Sequence, residues 1–118
     1  MTRRNERMAS LLREEISYLL ARELKDPRLQ GVVSITAVEL SSDLGYAKIK
    51  LSVLGSEEEG REALQGVVSA TGYVRRELGH RLKLRQIPAL HFVLDPSLAG
   101  AERLDQMLAR IRDGVSEA

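Results

Sequence analysis

The sequence predicts a single α+β domain, helices packed on a three-stranded sheet, in the order α-β-β-α-kink-α-β-α. Three observations carry this. An amphipathic stripe opens the chain, two strand-like runs meet at a short turn, and a long second stripe is broken by glycines before one more strand and a closing helix. The 118 residues have room for one domain over 1–118, with an ordered core spanning about residues 5–113.

The first stripe runs from Asn5 to Leu24, with Met8, Leu11, Leu12, Ile16, Leu19, Leu20 and Leu24 at three- and four-residue steps. It ends at Asp26-Pro27-Arg28, because a proline disfavours helical geometry in the residue before it. GVVSITAVEL is a strand whose apolar phase slips between Val33/Ile35 and Val38/Leu40, which predicts a bulge or burial on both faces. SSDLG is a turn in which Asp43 and Gly45 supply the local geometry. YAKIKLSVL then alternates cleanly, with Ala47, Ile49, Leu51 and Val53 on one face. So short a turn predicts antiparallel pairing.

Ser56 and Glu59 have the spacing of a capping box, and three successive glutamates suit a helix start. The stripe Ala63, Leu64, Val67, Val68, Thr71, Val74, Leu78, Leu82 is too long and too rich in glycine for one straight helix. Two helices meeting at Ala70-Thr71-Gly72 are expected. Glycine inside a helix costs about 1 kcal/mol relative to alanine, so close packing or a useful bend should compensate. A bulky residue at Gly72 is expected to clash or to straighten the bend. IPALHFVL is a third strand, held to an edge or first position by Pro88. Asp95-Pro96-Ser97 resembles a cap, and a last helix turns Leu104, Met107, Leu108 and Ile111 inward before Gly114.

Composition excludes several functions. There is no cysteine, so disulfides and thiolate metal sites are ruled out. No apolar run approaches the roughly 20 residues of a membrane helix. Glu6, Glu14 and Glu15 argue against a transit peptide, and a cytoplasmic protein without membrane contact is expected. His80 and His91 are the only histidines and make a poor metal set. A phosphate or solvent contact for His80 and a surface strand position for His91 are plainer readings than catalysis. Asp43 and Asp95 both fall in turns, where local backbone hydrogen bonds explain them. No phosphate-binding glycine loop occurs. No enzyme active site, cofactor or metal is expected.

The net charge of +1 hides local polarity: residues 73–91 hold five cations against one anion. That is an electrostatic footprint for phosphates. Aromatic residues are only 3% of the chain, and Tyr18, Tyr46, Tyr73 and Phe92 offer no convincing pair of exposed rings on adjacent strands. Contacts to RNA are therefore expected mainly through phosphate and shape.

DPRL at Asp26–Leu29, V-x-L-S-x-D-L from Val38 to Leu44, A-x-G-Y-V-R-R-E-L-G from Ala70 to Gly79, L-x-L-R-x-I-P from Leu82 to Pro88 and the LHFVLD run ending at Asp95 resemble the bacterial ribosome-binding factor A family over the whole chain. The resemblance implies a type II KH-like fold in which an A-x-G bend, here Ala70, Thr71 and Gly72, replaces the G-x-x-G loop of a standard KH domain. It implies binding to free 30S subunits near the 5′-terminal helix and neck of the 16S ribosomal RNA, with support for late subunit maturation and rRNA processing. An association with cold-shock growth and release by a ribosome-dependent GTPase are implied as well. A monomer is expected.

The RNA-binding candidates are Arg75, Arg76, Arg81, Lys83 and Arg85, with His80, Lys48 and Lys50 as secondary ones. Arginine suits the task because its planar fork holds a phosphate bidentately. Roughly three of the five principal cations are expected to touch RNA, each adding about 0.7–0.9 to the salt slope. Arg3, Arg4 and Arg7 are read as a solvated terminus, and Arg28 as structural or contacting. The competing reading is a protein-interaction module whose basic helix docks on an acidic partner.

Overall fold

The computed structural model describes residues 3–24, 26–29, 33–96 and 98–112. Helix α1 (Arg3–Tyr18) buries Leu12 and Ile16 completely, as its stripe requires. The helix does not stay α-helical to Leu24. Over Leu19–Glu23 it widens into one π turn, closed by the Leu24 N–H donating to the Leu19 carbonyl at 3.1 Å. The wider turn keeps the sequential pair Leu19 and Leu20 both in the core. Asn5, buried at the other end of α1, donates to the Ser41 carbonyl at 3.2 Å and ties the helix to the first strand turn.

Strands β1 (Val33–Leu40) and β2 (Tyr46–Val53) pair antiparallel, and β3 (Ala89–Leu94) pairs parallel with β2, giving the order β1-β2-β3. The phase slip in β1 is a bulge: Ile35 lies opposite Leu51 but Ala37 lies opposite Lys50, leaving Thr36 extra. The Thr36 hydroxyl uses that freedom to donate to Asp95 Oδ2 at 2.6 Å, from the first strand to the end of the third. Asp95 is therefore a long-range tie and not only a turn residue. Asp43 stays local, accepting from Ser41 Oγ and the Gly45 N–H. The left-handed residue of that turn is Leu44 (φ 61°), a position usually given to glycine or asparagine.

Helix α2 (Glu57–Ser69) begins with the capping box in both directions: Ser56 Oγ accepts from the Glu59 N–H, and Glu59 accepts from the Ser56 N–H. Helix α3 (Thr71–Leu82) follows after one residue, Ala70 (φ −92°, ψ 4°). Helices α1 to α3 cover the sheet face that carries Ala47, Ile49, Leu51 and Phe92, and Val67, Val74 and Leu78 complete the core. Helix α4 (Leu98–Arg112) packs on β1 and β2, where Gly100 lies so close to Ser52 Oγ that a side chain there would collide. Leu104 and Leu108 are half-buried as expected; the side chains of Met107 and Ile111, with Ser97 and Gly114, lie outside the described residues. The arrangement is type II KH-like.

Candidate nucleic-acid interface

The basic stretch does not act as one rod, because its side chains leave the helix in different directions and meet different neighbours. Arg75 points back at the connection into β3. Its Nη2 donates to the Ile87 carbonyl at 2.9 Å and its Nε to the Pro88 carbonyl at 3.1 Å. Those carbonyls precede the strand and accept no backbone hydrogen bond from the described residues, so the guanidinium supplies their donors. Arg75 thus latches α3 to the connection into β3.

Arg81 faces α1. It lies 3.5 Å from Glu23, 3.6 Å from Glu77 and 3.8 Å from Glu15, with its guanidinium over the Tyr18 ring at 4.9 Å. Three carboxylates thus surround the Arg81 guanidinium, which anchors the end of α3 to α1 and the π turn. Lys50 is held at 3.1 Å by Glu39 on the neighbouring strand. Lys48, half-buried on the same sheet face, makes no ion pair with a described carboxylate.

What remains forms a ridge. Gly72, Arg76 and His80 follow one another at steps of four residues and share one face of α3, Lys83 follows as its C-cap, and all four are exposed. Arg76 and Lys83 have no carboxylate partner among the described residues; His80 lies 4.0 Å from Glu77. Lys83 is the C-cap of α3 and adopts the left-handed conformation (φ 51°, ψ 42°). Lys83 and the exposed Arg85 therefore stand beyond the helix, on the connection to β3, and not along its axis.

The ridge starts at the elbow. Gly72 has open space around its α-carbon: a β-carbon added there would meet nothing within 4 Å, so the position has room for an alanine. The tight contact is at Gly66, where an added β-carbon would meet Asp26 Oδ2 at 3.2 Å and Arg28 Cβ at 3.3 Å. Asp26 and Arg28 form a clip across Pro27, Nη2 to Oδ2 at 2.6 Å and Nε to Oδ1 at 3.0 Å. The hydrogen bond from Arg28 holds the Asp26 carboxyl below its ordinary range, and the same bond raises the Arg28 guanidinium. Leu24, Asp26, Pro27, Arg28, Gly66, Ser69 and Ala70 line an open groove of about 610 Å³ beside the elbow. The DPR motif thus seats the turn after the first helix against α2 one turn before the bend.

One feature escaped sequence reasoning. Tyr46 on β2 and His91 on β3 are both exposed, and their rings stack with centroids 6.1 Å apart and planes inclined by 28°. The expectation that adjacent strands lack an exposed ring pair is therefore overturned. The signal was the imidazole, weighed only as a catalytic or surface group and not as a ring.

Residues 4–108 match the family model described as Ribosome-binding factor A. The chain belongs to the ribosome-binding factor A family. It is 44% identical over 115 residues to ribosome-binding factor A of Moorella thermoacetica, spanning 97% of this chain and 94% of that one. The crystal structure of ribosome-binding factor A from Thermus thermophilus shares the fold, with a TM-score of 0.68 at 24% identity over 76% of this chain and 93% of that one. A homology model of Thermus thermophilus ribosome-binding factor A, fitted into a cryo-EM map of its complex with the 30S subunit, superposes with a TM-score of 0.57 at 26% identity, covering 80% of this chain and 93% of that one. The family thus includes a member seen on the small subunit. The ridge and elbow lie within the matched residues.

Proposed function

We propose that this protein is a ribosome-binding factor that engages the free 30S subunit and assists late maturation of its 16S RNA near the 5′-terminal helix and neck. The observation that carries the reading, beside family membership, is the exposed line Gly72, Arg76, His80, Lys83 with Arg85 just beyond it. Exposed cations on the α3 face and on the connection just beyond it favour holding phosphate backbone over performing chemistry. Among the described residues no three His, Asp or Glu side chains group as metal ligands. The protein acts in the cytoplasm as a monomer, and a ribosome-dependent GTPase releases it. Lys48 and Lys50 are secondary: Lys48 is available to RNA and Lys50 only after leaving Glu39.

The test is charge reversal of Arg76, Lys83 and Arg85 together, assayed by co-sedimentation with salt-washed small subunits at two salt concentrations. We expect a folded variant whose binding is lost at the higher salt and whose salt slope is reduced by about 2. Unchanged, salt-insensitive binding would refute the reading and favour docking on an acidic protein.

A further inference from the structure

The sheet face turned away from α1, α2 and α3 is covered by α4 at its Ser52 end and carries Tyr46, Lys48 and Lys50 on β2 and His91 on β3. Rings on a sheet surface ordinarily gain by being covered, yet Tyr46 is 45% exposed and His91 is exposed beside it. The residue opposite Tyr46 in the β2–β3 register is Ala89, itself exposed and too small to shield a ring. Lys48 lies opposite His91. Across the sheet Glu39 is opposite Lys48, but its carboxylate is engaged by Lys50 at 3.1 Å. The patch is thus a stacked pair of exposed rings with a lysine at their side and the neighbouring acid already paired.

The connection out of α3 leads to the same place. Lys83 and Arg85 lie on it, and it ends where the Ala89 N–H donates to the Gly45 carbonyl at 3.0 Å, next to Tyr46. Lys83 and Arg85 thus lie on the segment that joins the ridge to the sheet edge where the rings stand. Aromatic rings on adjacent strands flanked by cations are the recurrent means of holding unpaired bases, since every base offers a π face.

We propose that Tyr46 and His91, with Lys48 beside them, form a stacking platform for an unpaired base of single-stranded RNA, separate from the phosphate contacts of the α3 ridge. The proposal rests on the reading of the protein as RNA-binding and extends it to a ligand class: a flexible single-stranded segment adjoining a folded helix. It also divides the labour, the ridge supplying salt-dependent affinity and the platform supplying contact with bases.

The experiment compares binding of the protein to a fluorescent uridine decamer and to an abasic decamer of the same charge. Tyr46→Leu, His91→Leu and the ring-preserving His91→Phe are measured in parallel, with thermal melts to check folding. We expect the uridine decamer to bind roughly tenfold tighter than the abasic one, each leucine variant to lose about that factor, and His91→Phe to keep it. Equal binding of the two decamers by the parent protein overturns the proposal, as do folded leucine variants that bind like it. Leucine variants that lose affinity for small subunits but not for the decamer would place this face against a ribosomal protein, which also overturns it. Because the decamers carry equal charge, the comparison is independent of the triple charge reversal. A failed platform leaves the ridge standing, and a failed ridge leaves the base preference readable.

Discussion

Arg75 and Arg76 are neighbours of one type, yet they do opposite work. Arg75 donates to two backbone carbonyls of the Ile87-Pro88 segment, whereas Arg76 projects from the exposed ridge. Charge-assisted bonds to otherwise unpaired carbonyls contribute about 1–3 kcal/mol, so Arg75→Ala should lower stability by about that much. Faster amide exchange around residues 85–90 should accompany it. Arg75→Lys should not restore the wild-type value, because one ammonium cannot reproduce the two-pronged geometry. Arg76→Ala should stay within about 0.5 kcal/mol of the parent by denaturant titration and should weaken subunit binding instead. Gly72 belongs to the same scale. Since its surroundings are open, Gly72→Ala should raise stability by up to about 1 kcal/mol through helix propensity. Gly72→Leu should fold and yet bind subunits less well, because its bulk would stand where a phosphate chain approaches. Wild-type binding by Gly72→Leu would remove the elbow from the interface.

Elements owe their ends to particular residues. The reciprocal box of Ser56 and Glu59 starts α2, and Lys83 stops α3 in a conformation that disfavours any side chain with a β-carbon. Lys83→Gly should therefore stabilise the domain by roughly 0.5–1 kcal/mol while lowering the salt slope by under 1, so that stability and binding move in opposite directions. A lysine kept where glycine folds better is consistent with a role for its charge. A thermal melt and a salt titration on one variant check both signs. The bulge of β1 is a comparable case: it frees Thr36 to reach Asp95, fastening the far end of β3 to β1 across the intervening β2.

At the scale of the whole molecule, stability should fall on the acid side. Asp26 is held low by the side chain of Arg28, Asp43 by the Gly45 N–H and then the Ser41 hydroxyl, and Glu59 by the Ser56 N–H. A carboxyl depressed in the folded state stabilises above its unfolded pKa, and that contribution disappears as pH falls through the folded value. Melting temperature should thus be flat near neutrality and decline below about pH 4. Asp43→Asn combined with Glu59→Gln should flatten the decline; an unchanged acid limb would show that these caps do not set it. The core should respond to truncation independently of pH: Leu78→Ala, at a fully buried site, should cost about 2–5 kcal/mol at any of these pH values.

Much of the architecture was legible because it depends on near neighbours in the chain. Periodicity of 3.6 and 2, a box spanning Ser56 to Glu59 and a proline before β3 act within a few residues, so the element order, the elbow and even the slipped phase of β1 could be read directly. The site was legible only as a region. Whether a cation in 73–91 faces solvent depends on what comes opposite it, and those partners are distant: Glu15 and Glu23 for Arg81, the Ile87 and Pro88 carbonyls for Arg75. The same holds for Gly66, tight against the Asp26–Arg28 clip, and for Tyr46 and His91, brought together by a parallel pairing that no local pattern announces. By itself the sequence determined the list of elements and the place where positive charge gathers, since both follow from local geometry and composition. Tertiary packing alone decided which of those charges are cancelled at home and which face outward, because Coulomb and hydrogen-bond partners are chosen by proximity in space.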